Sequence, residues 1–410
     1  MTERLYYEDS FLRSFPAQVV DIREVSRAGS VSTWQIALDR TAFYPTSGGQ
    51  IFDKGVIETE KEKLTVIEVA DAEDGRVVHY LEAPVKEIKP GTRIRGQIDR
   101  TRRRDHMQQH TGQHVLSAAF VRLFNMPTVS FHMGDDYCSI DLDTPTLTKD
   151  QIEAAERAAN EIILENRAVT IRFVTRDEAG KLGLRKLPPT ERDLLRLIEI
   201  ADFDVCACGG THVNQTGQIG CILMRKTEKV RQGWRVEFIA GRRAVATARR
   251  DFMTLTEAGS LFSAHIYDVP QQIRKSLDEI RSLRKQSEQS QEELAEAQAI
   301  ALLADTSQGG GRKVVIRTFS DRDMNSLKLL AQKLTRQASN VVALLATKSP
   351  QPSLVFAQSA GQPHDMGALM KEAMAGLGGR GGGSRDMAQG GVSSAEGIDG
   401  ALNNAAAALS

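Results

Sequence analysis

Three histidines, His106, His110 and His114, stand four residues apart in the segment Arg102-Arg-Arg-Asp-His-Met-Gln-Gln-His-Thr-Gly-Gln-His-Val-Leu-Ser117. On a helix each consecutive pair lies one turn apart on the same side. Two imidazoles at that spacing are a ready pair of metal ligands. Far along the chain, Cys208-Gly-Gly-Thr-His212 offers a thiolate and an imidazole at the same interval. The four side chains His110, His114, Cys208 and His212 make a donor set suited to a tetrahedral Zn2+. A lone His-x3-His pair is more often an ordinary polar helix face, and it is the second pair that turns the reading toward a metal. Cys206 competes for a place, because Cys206-x-Cys208 offers two thiolates, and His106 is another candidate substitute. His132 reads as a strand histidine; Cys138 and Cys221 fall in apolar strand patterns and read as core.

Two glycine-rich segments could bring backbone close to a ligand. In Thr41-Ala-Phe-Tyr-Pro-Thr-Ser-Gly-Gly-Gln50 the glycines permit close approach, and the Gln50 amide can both donate and accept. Residues 376–391 are glycine-dense and read as a loop able to cradle a phosphate, with Arg385 supplying charge. Acidic and basic residues balance at 53 each, so affinity for a polyanion would rest on local clusters. Those clusters are Arg102, Arg103 and Arg104, then Arg242 with Arg243, then Arg385.

The elements that must position these residues predict an α+β protein. Residues 1–100 alternate in period two, with an Asp74-Gly75 turn, and predict a small N-terminal β-barrel. Residues 101–250 predict an α/β zinc-containing domain. Its histidine helix carries Val115, Leu116, Ala119, Phe120 and Leu123 as a core stripe, and Thr148 to Gln151 resembles a capping box opening a second helix. Residues 251–311 predict a helical connector that Pro270 breaks or starts, with a half-polar seam suited to a helix hairpin or a dimer arm. Residues 312–410 predict a C-terminal α/β domain with a βαβ unit. No apolar run is long enough for a membrane span, and four cysteines in 410 residues are no disulfide framework. Reduced thiols in a cytoplasmic protein are expected.

Three of these segments together resemble one family. Thr41-Ala-Phe-Tyr-Pro-x-Ser-Gly-Gly-Gln50, His110-Thr-Gly-Gln-His114 and Cys208-Gly-Gly-Thr-His212-Val are similar to the editing module of alanyl-tRNA synthetase and its free-standing relatives, the AlaX proteins. The tail Gly383-Ser-Arg-Asp-Met-Ala-Gln-Gly-Gly391 resembles the DHH-associated C-terminal domain of that synthetase, which points to the long form of AlaX. The related editing module of threonyl-tRNA synthetase comes without such a tail. The resemblance implies zinc on His110, His114, Cys208 and His212, and a functional glutamine at Gln50. Thr41, at the head of the same motif, is expected to line the amino-acid pocket. The implied activity is hydrolysis of wrongly charged tRNA(Ala), chiefly with serine and also glycine, without alanine activation by ATP. A homodimer joined through the helical and C-terminal parts is expected. Two other readings fit the residues alone: a zinc-containing tRNA-binding or dimerisation protein without catalysis, and a zinc hydrolase of a small ester.

Overall fold

The computed structural model describes residues 1–25, 33–82, 85–182, 184, 194–306 and 311–409. The chain divides into two compact units, Met1–Glu257 and Ala258–Ser410. No helix among the described residues is long and apolar enough to cross a membrane.

The first unit opens with a short strand β1 (Glu3–Arg4), which pairs in parallel with β4 (Arg40–Thr41). Six strands close a barrel in the order β2 (Ser14–Val25), β3 (Thr33–Leu38), β7 (Val77–Leu81), β6 (Lys63–Asp71), β5 (Gly55–Glu58) and β8 (Arg93–Ile98). In β2 the pattern is strict, with Phe15, Ala17 and Val19 inward and Ser14, Pro16 and Gln18 outward. The Asp74-Gly75 turn joins β6 to β7, with Gly75 at φ +79°. The small barrel expected from the sequence is present, and it includes the strand β5, which the sequence pattern did not reveal.

Helix α1 (Arg100–Phe124) follows directly. Its cap is Asp99, whose carboxylate accepts the N–H groups of Thr101 and Arg102, and it ends at Asn125 in the left-handed region. From His106 to Phe120 every residue is buried. The helix is therefore an axle covered on all sides, not a surface helix with one apolar stripe. The expected stripe holds for Val115, Leu116, Ala119 and Phe120, whereas Leu123 is 47% exposed because it lies in the last turn, beyond the covering layers.

Those layers come from β9 (Thr128–Met133), β10 (Cys138–Leu142), α2 (Lys149–Leu164), β11 (Val169–Thr175), α3 (Arg176–Gly180), β12 (Leu194–Ile200), β13 (Asp204–Ala207), β14 (Ile222–Val230) and β15 (Gly233–Ala240). One sheet runs β14-β15-β10-β9 and another β11-β12-β13. Val115, Leu116 and Phe120 of α1 share a core with Ile140 of β10, Ala159 of α2 and Phe238 of β15. The capping box at Thr148 and Gln151 is formed at the start of α2. Helix α4 (Gly241–Leu261) follows β15.

In the second unit α5 (Val269–Ala304) begins with Pro270 in its first turn, so the proline starts this helix. Strand β16 (Lys313–Phe319), α6 (Met324–Gln337) and parallel strand β17 (Val341–Thr347) form the βαβ unit. Then come β18 (Ser353–Gln358), α7 (Met366–Leu377), β19 (Arg380–Gly383), β20 (Met387–Gly391) and α8 (Ile398–Ala407), in a sheet ordered β16-β17-β18-β20-β19. The glycine-dense segment is thus a paired hairpin, not the loop expected. Its glycines serve packing: a Cβ on Gly390 would overlap the sulfurs of Met370 and Met374 on α7.

One ion pair fastens α1 to the barrel side of the first unit. The Arg103 guanidinium is 4% exposed and bonds the Asp53 carboxylate, the Ala42 carbonyl and the Ser10 carbonyl. Asp53 is fully buried and also accepts the Tyr44 N–H at 2.7 Å. Arg103→Met leaves that carboxylate buried alone, a loss that costs about 3–5 kcal/mol. Chemical denaturation followed by circular dichroism should show this drop, and an Arg103→Met, Asp53→Leu double variant should recover much of it. A single variant within about 1 kcal/mol of the parent would show that the pair does little for stability.

Candidate metal centre

Helix α1 presents His110 and His114 from successive turns, and the loop after β13 presents Cys208 and His212. One ligand atom from each lies within 4.8 Å of all the others. The Cys208 Sγ stands 3.4 Å from His110 Nε2 and 3.3 Å from His212 Nε2. Ligands on a tetrahedral Zn2+ are separated by roughly 3.5 Å, given Zn–N and Zn–S bonds of about 2.1 and 2.3 Å. The cluster could hold a metal ion without rearrangement of its backbone.

Two of the imidazoles are hydrogen-bonded from behind, and a carboxylate stands near the third. The His110 Nδ1–H donates to Gln50 Oε1 at 2.7 Å, because an amide oxygen only accepts, so Nε2 is the nitrogen turned toward Cys208. His212 Nδ1 bonds Thr111 Oγ1 at 3.1 Å, again leaving Nε2 toward the thiol. His114 Nδ1 lies 3.6 Å from the Asp204 carboxylate, and both side chains are buried. Outer groups of this kind fix the tautomer and orientation of metal-binding histidines. Burial holds His212 well below the usual imidazole range, so it is neutral. Burial disfavours the Cys208 thiolate, whereas positive charge shared with the His110 and His212 rings favours it, and the net direction is well below the ordinary thiol value. Neutral imidazoles and a thiolate are the protonation states that bind metal.

The Gln50 loop reaches this set by a tight turn. Ser47 and Gln50 exchange backbone hydrogen bonds at 3.0 Å around Gly48 and Gly49, whose φ angles are +57° and +85°. A Cβ on Gly49 would overlap the Phe131 carbonyl of β9, and the Gly49 carbonyl accepts the Met133 N–H at 2.9 Å. Gln50 itself is fully buried. Its Oε1 accepts the Thr211 N–H as well as His110, and its Nε2 donates to Thr211 Oγ1. The glutamine therefore positions a ligand from behind.

The structure brings His110, His114, Cys208, His212 and Gln50 together, and sets the other candidates apart. Cys206 is outside the cluster, on β13 opposite Ile198. His106 is also outside it. Both its ring nitrogens are buried without a hydrogen-bond partner among the described residues, and burial together with Arg102, Arg243 and Arg103 pushes it down to about 2. His132 is exposed on β9. Thr41 is fully buried and bonds His79 Nε2 at 2.9 Å and the Phe43 N–H at 3.1 Å; no hydrogen bond joins it to the cluster. Cys138 is core as expected, whereas Cys221 is only partly buried.

Among the arginines expected to contact nucleic acid, Arg103 is a correction: its donors are consumed inside the protein, so no phosphate can reach them. Arg102 is half-buried, bonding the Phe52 carbonyl and Asp135. Arg104 and Arg242 are exposed and have no side-chain partner among the described residues. Arg385 is exposed and bonds the carbonyls of Pro363 and His364. Sequence reasoning gave no site role to Asp204, although Phe203-Asp204 extends the family motif, and it missed Arg196. Arg196 is buried and donates to the Cys208 carbonyl at 2.6 Å and the Tyr7 carbonyl at 2.8 Å, bracing the cysteine loop. Arg196 carries no motif signal.

Gln50→Ala should weaken metal binding by about 10–100-fold, the usual effect of losing an outer partner. Gly210→Ala should act in the same direction, since a Cβ there would overlap the His110 ring. Competition with a chromophoric chelator measures both, and unchanged affinity in the two variants would remove Gln50 and Gly210 from the centre's architecture.

Comparison with known proteins places these features in a family. Residues 1–102 match the model for class II (A) tRNA synthetases, residues 195–237 the second additional domain of threonyl and alanyl tRNA synthetases, and residues 311–410 the DHHA1 domain. The alanyl-tRNA editing protein AlaX-L of Pyrococcus horikoshii is 32% identical over 395 residues, covering 96% of this chain and 95% of that protein. The alanine–tRNA ligases of Thermococcus kodakarensis and Natronomonas pharaonis are 32% and 33% identical, and the chain spans 41% and 43% of their lengths. With the glutamine turn, the histidine helix and the cysteine loop in the order of that family, and a relative matched from end to end, the chain belongs to the AlaX-L family of alanyl-tRNA editing proteins.

Proposed function

We propose that the chain is a hydrolase that deacylates mischarged tRNA(Ala), chiefly Ser-tRNA(Ala) and also Gly-tRNA(Ala). The observation that carries this reading is the convergence of Gln50 on His110 within the set His110, His114, Cys208 and His212. The end-to-end match to an alanyl-tRNA editing protein supports it. The proposed metal is zinc, since three imidazoles with one thiolate at this spacing suit it better than hard cations. Bound there, zinc supplies a fixed positive charge that orders the pocket and attracts electron-rich groups of a substrate.

An aminoacyl ester is intrinsically labile, so a site contributes mostly by holding the ester and excluding wrong geometries. Gln50, Thr111 and Asp204 keep the imidazoles from turning, and Arg196 keeps the cysteine loop in place. Hydrolysis by water needs no ATP.

Selectivity is proposed at Thr41. His79 Nδ1 faces the Ile36 carbonyl at 3.2 Å and so carries the ring proton, leaving Nε2 to accept from the Thr41 hydroxyl. Burial lowers His79 to about 4, so it is neutral near pH 7. With its proton given to His79 and the Phe43 N–H received, the Thr41 oxygen has one lone pair left. That lone pair can accept from a seryl O–H and has nothing to offer the methyl group of alanine. The tRNA partner would be met by exposed cations such as Arg104 and Arg242, with Arg385 on the second unit. Self-association is proposed through α5, where Ile273, Leu277, Ile280 and Leu283 are 42–56% exposed.

Deacylation of Ser-tRNA(Ala) and Ala-tRNA(Ala) without ATP tests the activity, and the first should be strongly preferred. Thr41→Val should reduce that discrimination by about 1–3 kcal/mol. A variant that loses stability with discrimination unchanged makes Thr41 purely structural, and an unmodified protein that binds zinc but hydrolyses neither tRNA favours a non-catalytic tRNA-binding role. Zinc content should be one per chain and fall in Cys208→Ala. Ile273→Glu with Ile280→Glu should yield monomers in sedimentation; a parent protein already monomeric would end the dimer proposal.

A further inference from the structure

On the other side of the His212 backbone lies a cavity of about 190 Å³. Its wall is shared with the metal centre through Ser10, whose Oγ accepts the His212 N–H at 3.2 Å and whose carbonyl accepts from Arg103. The interior is apolar, formed by Leu12, Ile98, Met107 and Val213. Phe11, 40% exposed, also lines it, as does Gln218, whose amide is bonded to Asn214. An enclosed apolar cavity near 150 Å³ accepts a benzene ring, so this one has room for an aromatic ring.

The mouth is basic. Arg13, Arg100 and Arg104 line the cavity, all three are exposed, and their guanidiniums have no hydrogen-bond or ion-pair partner among the described residues. This contrasts with the neighbouring Arg102, Arg103 and Arg243, each paired with a carboxylate. Arg100 and Arg104 stand one turn apart on the first turns of α1, where the helix N-terminus also favours an anion, although the Asp99 cap offsets part of that. Arg13 comes from the segment leading into β2, a different part of the chain.

An aromatic-sized apolar cavity lined in part by Phe11, ringed by unpaired guanidiniums, is complementary to a nucleobase flanked by phosphates. We propose that this cavity takes one base of single-stranded RNA, with Arg13, Arg100 and Arg104 on the adjoining phosphodiesters. Three separate cations from two segments suit successive phosphates of a strand better than the single phosphate of a mononucleotide. The inference rests on the tRNA reading above and deepens it: the shared Ser10 wall places the base beside the strand end whose ester meets the metal centre.

The test is binding of a short fluorescent single-stranded RNA and of uncharged tRNA to the full-length protein, across a range of salt, with AMP as competitor. Arg100→Glu with Arg104→Glu should weaken binding at least tenfold, and losing two phosphate contacts should flatten the slope of log affinity against log salt by about 1.4. Leu12→Trp, which fills the cavity without changing charge, should weaken binding as well. Unchanged melting temperatures show that the variants are folded. Binding within twofold of the parent in both variants overturns the proposal, as does a Leu12→Trp protein that binds fully while the charge variant does not, which would leave only a basic surface. Competition by AMP as effective as by RNA overturns the assignment to a strand. Binding of uncharged RNA is read apart from deacylation. A parent protein that binds through the cavity but deacylates nothing refutes the proposed activity alone, and one that deacylates while both variants bind normally refutes the cavity alone.

Discussion

The site depends on the buried pair between Arg103 and Asp53. Arg103 lies seven residues before His110, two turns along the same side of α1. Asp53 lies three residues after Gln50, on the segment leaving the glycine turn. A single ion pair thus fixes the helix that carries two ligands against the loop that carries their outer partner. Such a pair contributes little net stability compared with an apolar replacement, because both charges lose their water. Its value is geometric. A guanidinium that must satisfy Asp53, Ala42 and Ser10 together has one acceptable position, and Ser10 in turn holds the His212 backbone.

Around that anchor the protein orients the imidazoles before any ligand arrives. Amide, hydroxyl and carboxylate groups stand behind the three imidazoles, and at His110 the amide oxygen fixes that Nδ1 carries a proton. Gln50 makes the case most clearly, since its oxygen faces both the His110 Nδ1 and the Thr211 N–H while its nitrogen faces the Thr211 hydroxyl. Flipping the amide would set its nitrogen against the Thr211 N–H, donor against donor. The orientation is therefore determined by the surroundings, and with it the nitrogen that His110 turns toward Cys208. The Gly-Gly turn follows from the same requirement. Side chains at Gly49 and Gly210 would occupy the space of Phe131 and His110, so the two segments can approach only where a Cβ is missing.

Much of this was legible in the sequence because spacing and geometry coincide. Four residues make one helical turn, so the His110 and His114 pair announced itself, and Cys208 to His212 repeated the interval. The capping box at Thr148, the turn at Gly75 and the alternation in β2 are local codes, read without knowing the fold. What was not legible depended on contacts across the chain. Arg102, Arg103 and Arg104 look alike in sequence, but helical geometry sends Arg103 inward to Asp53 and leaves Arg104 in solvent. Thr41 shares a motif with Gln50 yet bonds His79, a partner 38 residues away. The glycines near the C-terminus read as a flexible loop because nothing local reveals the methionines of α7 that press on them.

Charge balance hides a division of labour among the arginines. With 53 acidic and 53 basic residues the chain as a whole exerts no net pull on a polyanion. Recognition then depends on which cations the fold leaves without carboxylates. Arg103 and Arg243 are tied to Asp53 and Asp105, and both pairs brace α1, from within and against the start of α4. Arg13, Arg100, Arg104 and Arg242 have no such partner among the described residues. A counterion-free guanidinium at the surface keeps its field for a phosphate, while a neutralised one has already spent it. The separation follows from what each side chain meets: Arg103 meets the buried Asp53, and Arg100 and Arg104 meet no carboxylate among the described residues. A basic run that looks uniform in sequence is thereby split into Arg102 and Arg103, paired with carboxylates, and Arg100 and Arg104, which keep their charge unpaired among the described residues.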